Sequence, residues 1–101
     1  MPAMLLQFDF PFDGPWGDDL AAAMGELAAS IADEPGLLWK IWTENPDARR
    51  AGGIYVFEDA DTAERYREKQ VRRLAEMGVR GVVAHGFSVN APLSAVTRAP
   101  L

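Results

Sequence analysis

Cysteine is absent from this chain of 101 residues. That excludes a disulfide framework, a thiolate nucleophile and a Cys-ligated metal. Histidine occurs once, at His85, so a transition-metal site with three side-chain ligands of the usual kinds is not expected either. Basic residues are few, 10 against 15 acidic ones, for a net charge of −5. They are spread along a helix and a turn rather than gathered in a block. Nucleic acid and anionic membranes, which need clustered Lys and Arg, are therefore not expected partners. No apolar run reaches the roughly 18–20 residues of a membrane span. The opening MPAMLLQFDF lacks a basic n-region, and Gln7 and Asp9 interrupt its apolar run, so no signal peptide is expected. A cytoplasmic location is the resulting expectation. GxGxxG, P-loop, HExxH and GxSxG motifs are all missing. Gly14-Pro15-Trp16-Gly17 is glycine-rich, but Pro15 removes a backbone donor that a phosphate cradle would need.

What is present reads as an ordinary globular chain, 49% hydrophobic and 25% charged. Its length suits one domain, 1–101, with a core over 4–90 and a tail over 91–101. Met4 to Phe10 alternates, with Leu6, Phe8 and Phe10 on one face, as a half-buried strand does. PFDGPWG is turn chemistry. Leu20, Met24, Leu27 and Ile31 then recur at helical spacing among alanines, until Pro35-Gly36 stops the helix. Leu37 to Glu44 is a second strand, Asn45-Pro46-Asp47 a turn, and Gly53 to Glu58 a third strand. Asp61 and Glu64 stand at capping-box spacing before a second helix, whose inner stripe is Ala63, Tyr66, Gln70, Leu74 and Met77. Glu68 and Arg72 can pair on its outer face, and Gly78 suits its C′ position. A last strand is expected over Val79 to Asn90.

Strand, helix, strand, strand, helix, strand is the split βαβ, ferredoxin-like order. It implies an α+β fold: a four-stranded antiparallel sheet with both helices on one face. The central hairpin gathers Trp39, Trp42, Tyr55 and Phe57, which are costly to leave in water. Trp39 and Trp42 fall on opposite faces. With Trp39 and Ile41 toward the helices, the other face carries Gln7, Lys40, Trp42 and Glu44. A slip of one residue exchanges the two sets. A face mixing Trp with charges suits a second copy packed sheet to sheet, with Lys40 and Glu44 pairing across the two-fold axis.

Four segments, LLQFDFPFDGPWGD, EPGLLWKIWTE, AGGIYVFEDADTAERYREK and FSVNAPLS, resemble the YdhR-like mono-oxygenases in order and spacing. The resemblance runs from about Met4 to Ser94. It implies a dimeric α+β barrel, a homodimer in which two sheets form the barrel. It also implies kinship with antibiotic-biosynthesis mono-oxygenases, which oxidise aromatic polyketides with molecular oxygen and no cofactor.

Such chemistry asks little of the protein. An electron-rich phenol or anthrone loses a proton, and the enolate passes an electron directly to dioxygen. A dry aromatic pocket, one proton acceptor and a few donors for developing oxyanion charge suffice. Candidate catalytic residues are His85, Tyr55 and Tyr66. His85, with an ordinary pKa of roughly 6.5, is the natural base at neutral pH. It shares a strand face with Val83 and Phe87, which suggests partial enclosure; a structural His bonded to a carbonyl is the plainer alternative. Tyr55 and Tyr66 can donate hydroxyl protons or simply pack. Trp39, Trp42 and Phe57 are candidate substrate-binding walls, or else core and interface filler. Asn90 and Pro92 read as a strand end. A cyclase, isomerase or haem-degrading enzyme on the same scaffold, or a non-catalytic ligand binder, are the alternatives to the oxygenase.

Overall fold

The computed structural model describes residues 2–101. Strand β1 (Met4–Pro11) leads into helix α1 (Gly17–Ala32). Strands β2 (Leu37–Asn45) and β3 (Arg50–Phe57) form the hairpin, followed by helix α2 (Ala60–Glu76), strand β4 (Val83–Ser88) and a short helix α3 (Ala91–Val96). The sheet runs β2-β3-β1-β4, with every neighbouring pair antiparallel. This is the ferredoxin-like arrangement.

The core lies between the sheet and α2. Leu6 and Phe8 of β1 bury their side chains there, beside Tyr55 and Phe57 of β3. From above, α2 presents Ala63, Tyr66, Gln70 and Leu74, the expected stripe at 3.6-residue spacing. Met77, expected to continue it, is largely exposed. In contrast, α1 contributes one fully buried residue, Ile31. Leu27 packs against the core, but Leu20 and Met24 do not, and the gap they leave over the sheet matters below.

Five details differ from expectation, each for a local reason. Asp59, not Asp61, caps α2, its carboxylate accepting from the Thr62 backbone N–H at 2.9 Å. The ion pair on that helix is Glu64–Arg67, not Glu68–Arg72. After α2, Gly78 takes φ +83 and the Val79 N–H returns to the Leu74 carbonyl at 2.9 Å, a glycine-based helix stop. Val79 and Val82 therefore pack against the core from a loop, and β4 begins only at Val83. Asn90 is a helix cap for α3, accepting from the Leu93 N–H at 3.2 Å with Pro92 in the first turn. The tail folds back over the sheet's outer face, and the Pro100 carbonyl accepts from the Trp39 indole N–H at 2.6 Å.

The fifth difference is the largest. Leu37 pairs with Phe57, but Trp39 pairs with Val56, because one extra residue is accommodated between them. This β-bulge breaks the alternation of β2. Leu37 stays on the helix side, and from Trp39 onward every side chain is exchanged. Lys40, Trp42 and Glu44 face the helices, opposite Tyr55, Gly53 and Ala51. Trp39 and Ile41 face outward, opposite Val56 and Ile54. The assignment of Trp39 to the helix side is thus reversed.

Candidate functional site

The bulge turns Lys40 inward, beneath the loosely seated half of α1. Its ammonium lies 3.4 Å from the centroid of the Trp42 ring and 4.6 Å from that of Tyr55. Gly53 makes this possible. A Cβ at Gly53 would stand 2.7 Å from Lys40 Cε and 3.2 Å from a Tyr55 ring carbon, so glycine lets the lysine lie across β3 in this position and a larger residue would push it aside. No carboxylate pairs with Lys40 among the described residues. Lys69, the other lysine, is paired with Glu34.

A cavity opens around this amine. Phe10, Phe12, Leu20, Met24 and Leu27 supply apolar walls; Lys40, Tyr55 and Gln70 supply the polar groups. The inner chamber is small, about 60 Å³, well below the roughly 300 Å³ of an ordinary ligand pocket. Beside it runs a groove of about 320 Å³ between α1 and β2. Leu20, Met24 and Trp42 line both. Trp42, 39% exposed, is the wall between chamber and groove.

Behind the chamber stand two tyrosines. The Tyr55 and Tyr66 hydroxyls share a hydrogen bond of 3.2 Å, and their rings lie 4.9 Å apart. Burial pushes both phenols above their ordinary value, and for Tyr55 the neighbouring Tyr66 adds to the rise. Both remain protonated at neutral pH, as donors rather than bases. Phe57, fully buried, packs at 5.3 Å from Tyr66 and supports the pair from the core without lining the cavity.

Lys40 behaves in the opposite sense. Burial, and secondarily the Arg73 guanidinium on α2, bring its amine from 10.5 down to about 7. The two ring faces beneath it favour the cation and oppose that shift. Arg73 donates from Nε to the Gln70 side-chain oxygen at 2.8 Å. Its Nη2 is buried without a partner among the described residues. Arg73 does not line the chamber, but its charge acts on Lys40, which does; with no carboxylate on the amine among the described residues, the potential in the chamber is positive and suits an oxyanion.

Of the residues expected from sequence, the structure brings Tyr55, Tyr66 and Trp42 together. His85 stands elsewhere. It lies on the outer face of β4, opposite Gln7, and is exposed rather than enclosed. Trp39 is on that face too, tied to the tail. Lys40, Gln70 and Arg73 were not among the expected site residues. The readable signal was Gly52-Gly53: two adjacent glycines inside a strand mark a place where something else must approach closely. Glu44 and Lys40, expected on the outer face where a second copy would pack, both lie on the helix side. The Glu44 carboxylate accepts the Gly17 N–H at 3.0 and 3.2 Å, tying β2 to the start of α1.

A search of curated proteins returned no match. A family model described as Putative mono-oxygenase ydhR matches residues 5–100. That span takes in every strand and helix named above except the first residue of β1. The chain belongs to the ydhR mono-oxygenase family.

Proposed function

We propose that this protein is a cofactor-independent mono-oxygenase acting on a small, electron-rich aromatic substrate with molecular oxygen. One observation carries the reading: an amine poised near neutrality, held between two aromatic faces at the end of an apolar cavity. The reacting end of the substrate enters the chamber, and its flat body lies in the groove against Trp42. Neutral Lys40 takes the proton of a phenol or enol. Arg73 and the Tyr55–Tyr66 hydroxyl pair stabilise the oxyanion that results. The anion gives one electron to dioxygen, and superoxide recombines with the substrate radical to a hydroperoxide. Loss of water leaves the ketone, so that a CH2 and O2 become C=O and H2O. One oxygen atom enters the product and the other leaves in water, with every electron drawn from the substrate.

A homodimer is part of the proposal. The outer face of the sheet exposes Ile41 (54%) and Phe87 (51%) beside Leu5, Ile54 and Val83. A second copy packed sheet to sheet would cover them and would enclose His85. A haem-dependent reaction has little support, because no imidazole lines the cavity.

The test is oxygen uptake by the protein with an anthrone or a hydroquinone, without added flavin, metal or haem. Uptake is expected, and Lys40→Met should lower it by about 10²–10⁴-fold. No uptake across a panel of such substrates would remove the reading. Stabilisation by the phenols without turnover would mark a binder instead.

A further inference from the structure

The surroundings of Lys40 suit more than proton transfer. We propose that Lys40 is a nucleophilic amine that condenses with small aromatic aldehydes entering the cavity, forming an imine. Four structural facts support this. The amine lines a cavity rather than facing bulk water. It has no carboxylate partner among the described residues. Its position depends on Gly53, whose missing side chain leaves room for Lys40 Cε. The aromatic walls of the chamber and groove, Phe10, Phe12 and Trp42, suit a planar apolar body beside the reacting carbonyl.

The step balances without a redox partner. Neutral Nζ attacks the carbonyl carbon; the C–N bond forms as the C=O π bond opens, and the oxygen takes a proton. The carbinolamine then loses its hydroxyl with one proton as water, and C=N forms. The nearby hydroxyl pair of Tyr55 and Tyr66, kept protonated by burial, can supply the proton to the departing oxygen. Burial and, second, the Arg73 guanidinium of α2 lower the amine's basicity; the Tyr55 ring of β3 lies 4.6 Å away, and α1 brings Leu20, Met24 and Leu27 to the same cavity. This activity does not depend on oxygen.

The experiment is reductive trapping of the whole protein with benzaldehyde and cyanoborohydride, followed by peptide mapping. Only two lysines compete. An ordinary lysine is neutral in only about one molecule in a thousand at pH 7, so Lys40 should be labelled about a hundredfold faster than Lys69. Unfolding in urea should erase that lead. Equal rates for the two lysines in the folded protein, or a lead that survives urea, would overturn the proposal. Gly53→Ala is expected to cut the lead at least about tenfold by displacing Lys40; an undiminished lead in that folded variant would overturn the role of the glycine cradle. Trapping on Lys40 with no oxygen uptake would support the amine chemistry while removing the oxygenase.

Discussion

The two faces of one sheet solve opposite problems. On the helix side, Leu6, Phe8, Tyr55 and Phe57 are packed closely, and a loosely packed region under α1 holds Lys40 with the Tyr55 hydroxyl. On the outer side, Ile41 at one edge of the sheet and Val83 and Phe87 at the other are exposed apolar residues, with His85 between the last two on β4. Trp42 and Trp39 show the contrast at single-residue scale. Three positions apart on β2, one lies under an ammonium in a cavity and the other donates to the tail's backbone. The bulge after Leu37 decides which does which. A single extra residue at an edge strand decides which tryptophan faces the cavity and which faces outward, while the rest of the strand stays paired with β3.

The sharpest way to separate the faces is truncation on each. Phe57→Ala removes a fully buried ring touching Tyr55 and Tyr66 and should cost about 3–5 kcal/mol in urea unfolding. Phe87→Asp on the outer face should leave the far-ultraviolet circular dichroism of the folded chain unchanged, and in light scattering the proposed dimer should become a monomer. A Phe87→Asp protein that remains dimeric would mean that the outer face is not the interface.

Much of the fold was legible, because its signals are local. Leu6 and Phe8 alternate without interruption, Pro35-Gly36 stops α1, and Gly78 ends α2, so the order of elements up to β4 followed directly, while α3 falls in the stretch read as tail. The site was less so. In β2 both alternating sets contain a tryptophan and an aliphatic residue, and hydrophobicity alone cannot choose between them. The bulge that makes the choice has no composition of its own: Leu38 is an unremarkable residue at an exposed edge. Lys40 therefore read as a surface charge. Its inward position emerges only when Gly53 is placed opposite Trp42, a contact between strands rather than a pattern within one. His85 stood out as the lone imidazole, yet its strand position places it with Phe87 on the face away from the cavity.

Lys40 also makes the two faces differ in their response to pH. Its folded value, about 7, lies below the ordinary 10.5. Between those values the unfolded chain binds a proton that the folded chain does not, so the stability contribution rises with pH across that window. The penalty is fully present below pH 7 and is relieved toward pH 10.5. The tyrosines act in reverse: their raised values mean that stability falls once the pH passes the ordinary phenol value near 10. Lys40→Met should therefore stabilise by about 1–3 kcal/mol at pH 6. That gain should shrink steadily up to pH 9.5 in a series of urea melts. A gain independent of pH would mean that the amine is not held at a lowered value.

The smallest expected effect tests whether the bulge also seats the lid of the cavity. Trp16, the residue before α1, makes no side-chain cap, so the first turn relies on Glu44 reaching across from β2. Glu44 can do so only because the bulge has turned it to the helix side. Its charge sits at the positive end of the helix dipole, where a carboxylate contributes about 0.3–1 kcal/mol. Glu44→Gln keeps one acceptor oxygen and loses the charge, so global stability should fall by no more than that. The local consequence is larger than the global one, because α1 is held by little else at this end: Leu20 and Met24 border the cavity rather than closing onto the core. Amide hydrogen exchange in the first turn of α1 should therefore quicken in Glu44→Gln while exchange in α2 stays unchanged. Equal acceleration in both helices would indicate that the carboxylate supports the whole fold, and that the cavity lid has no separate anchor.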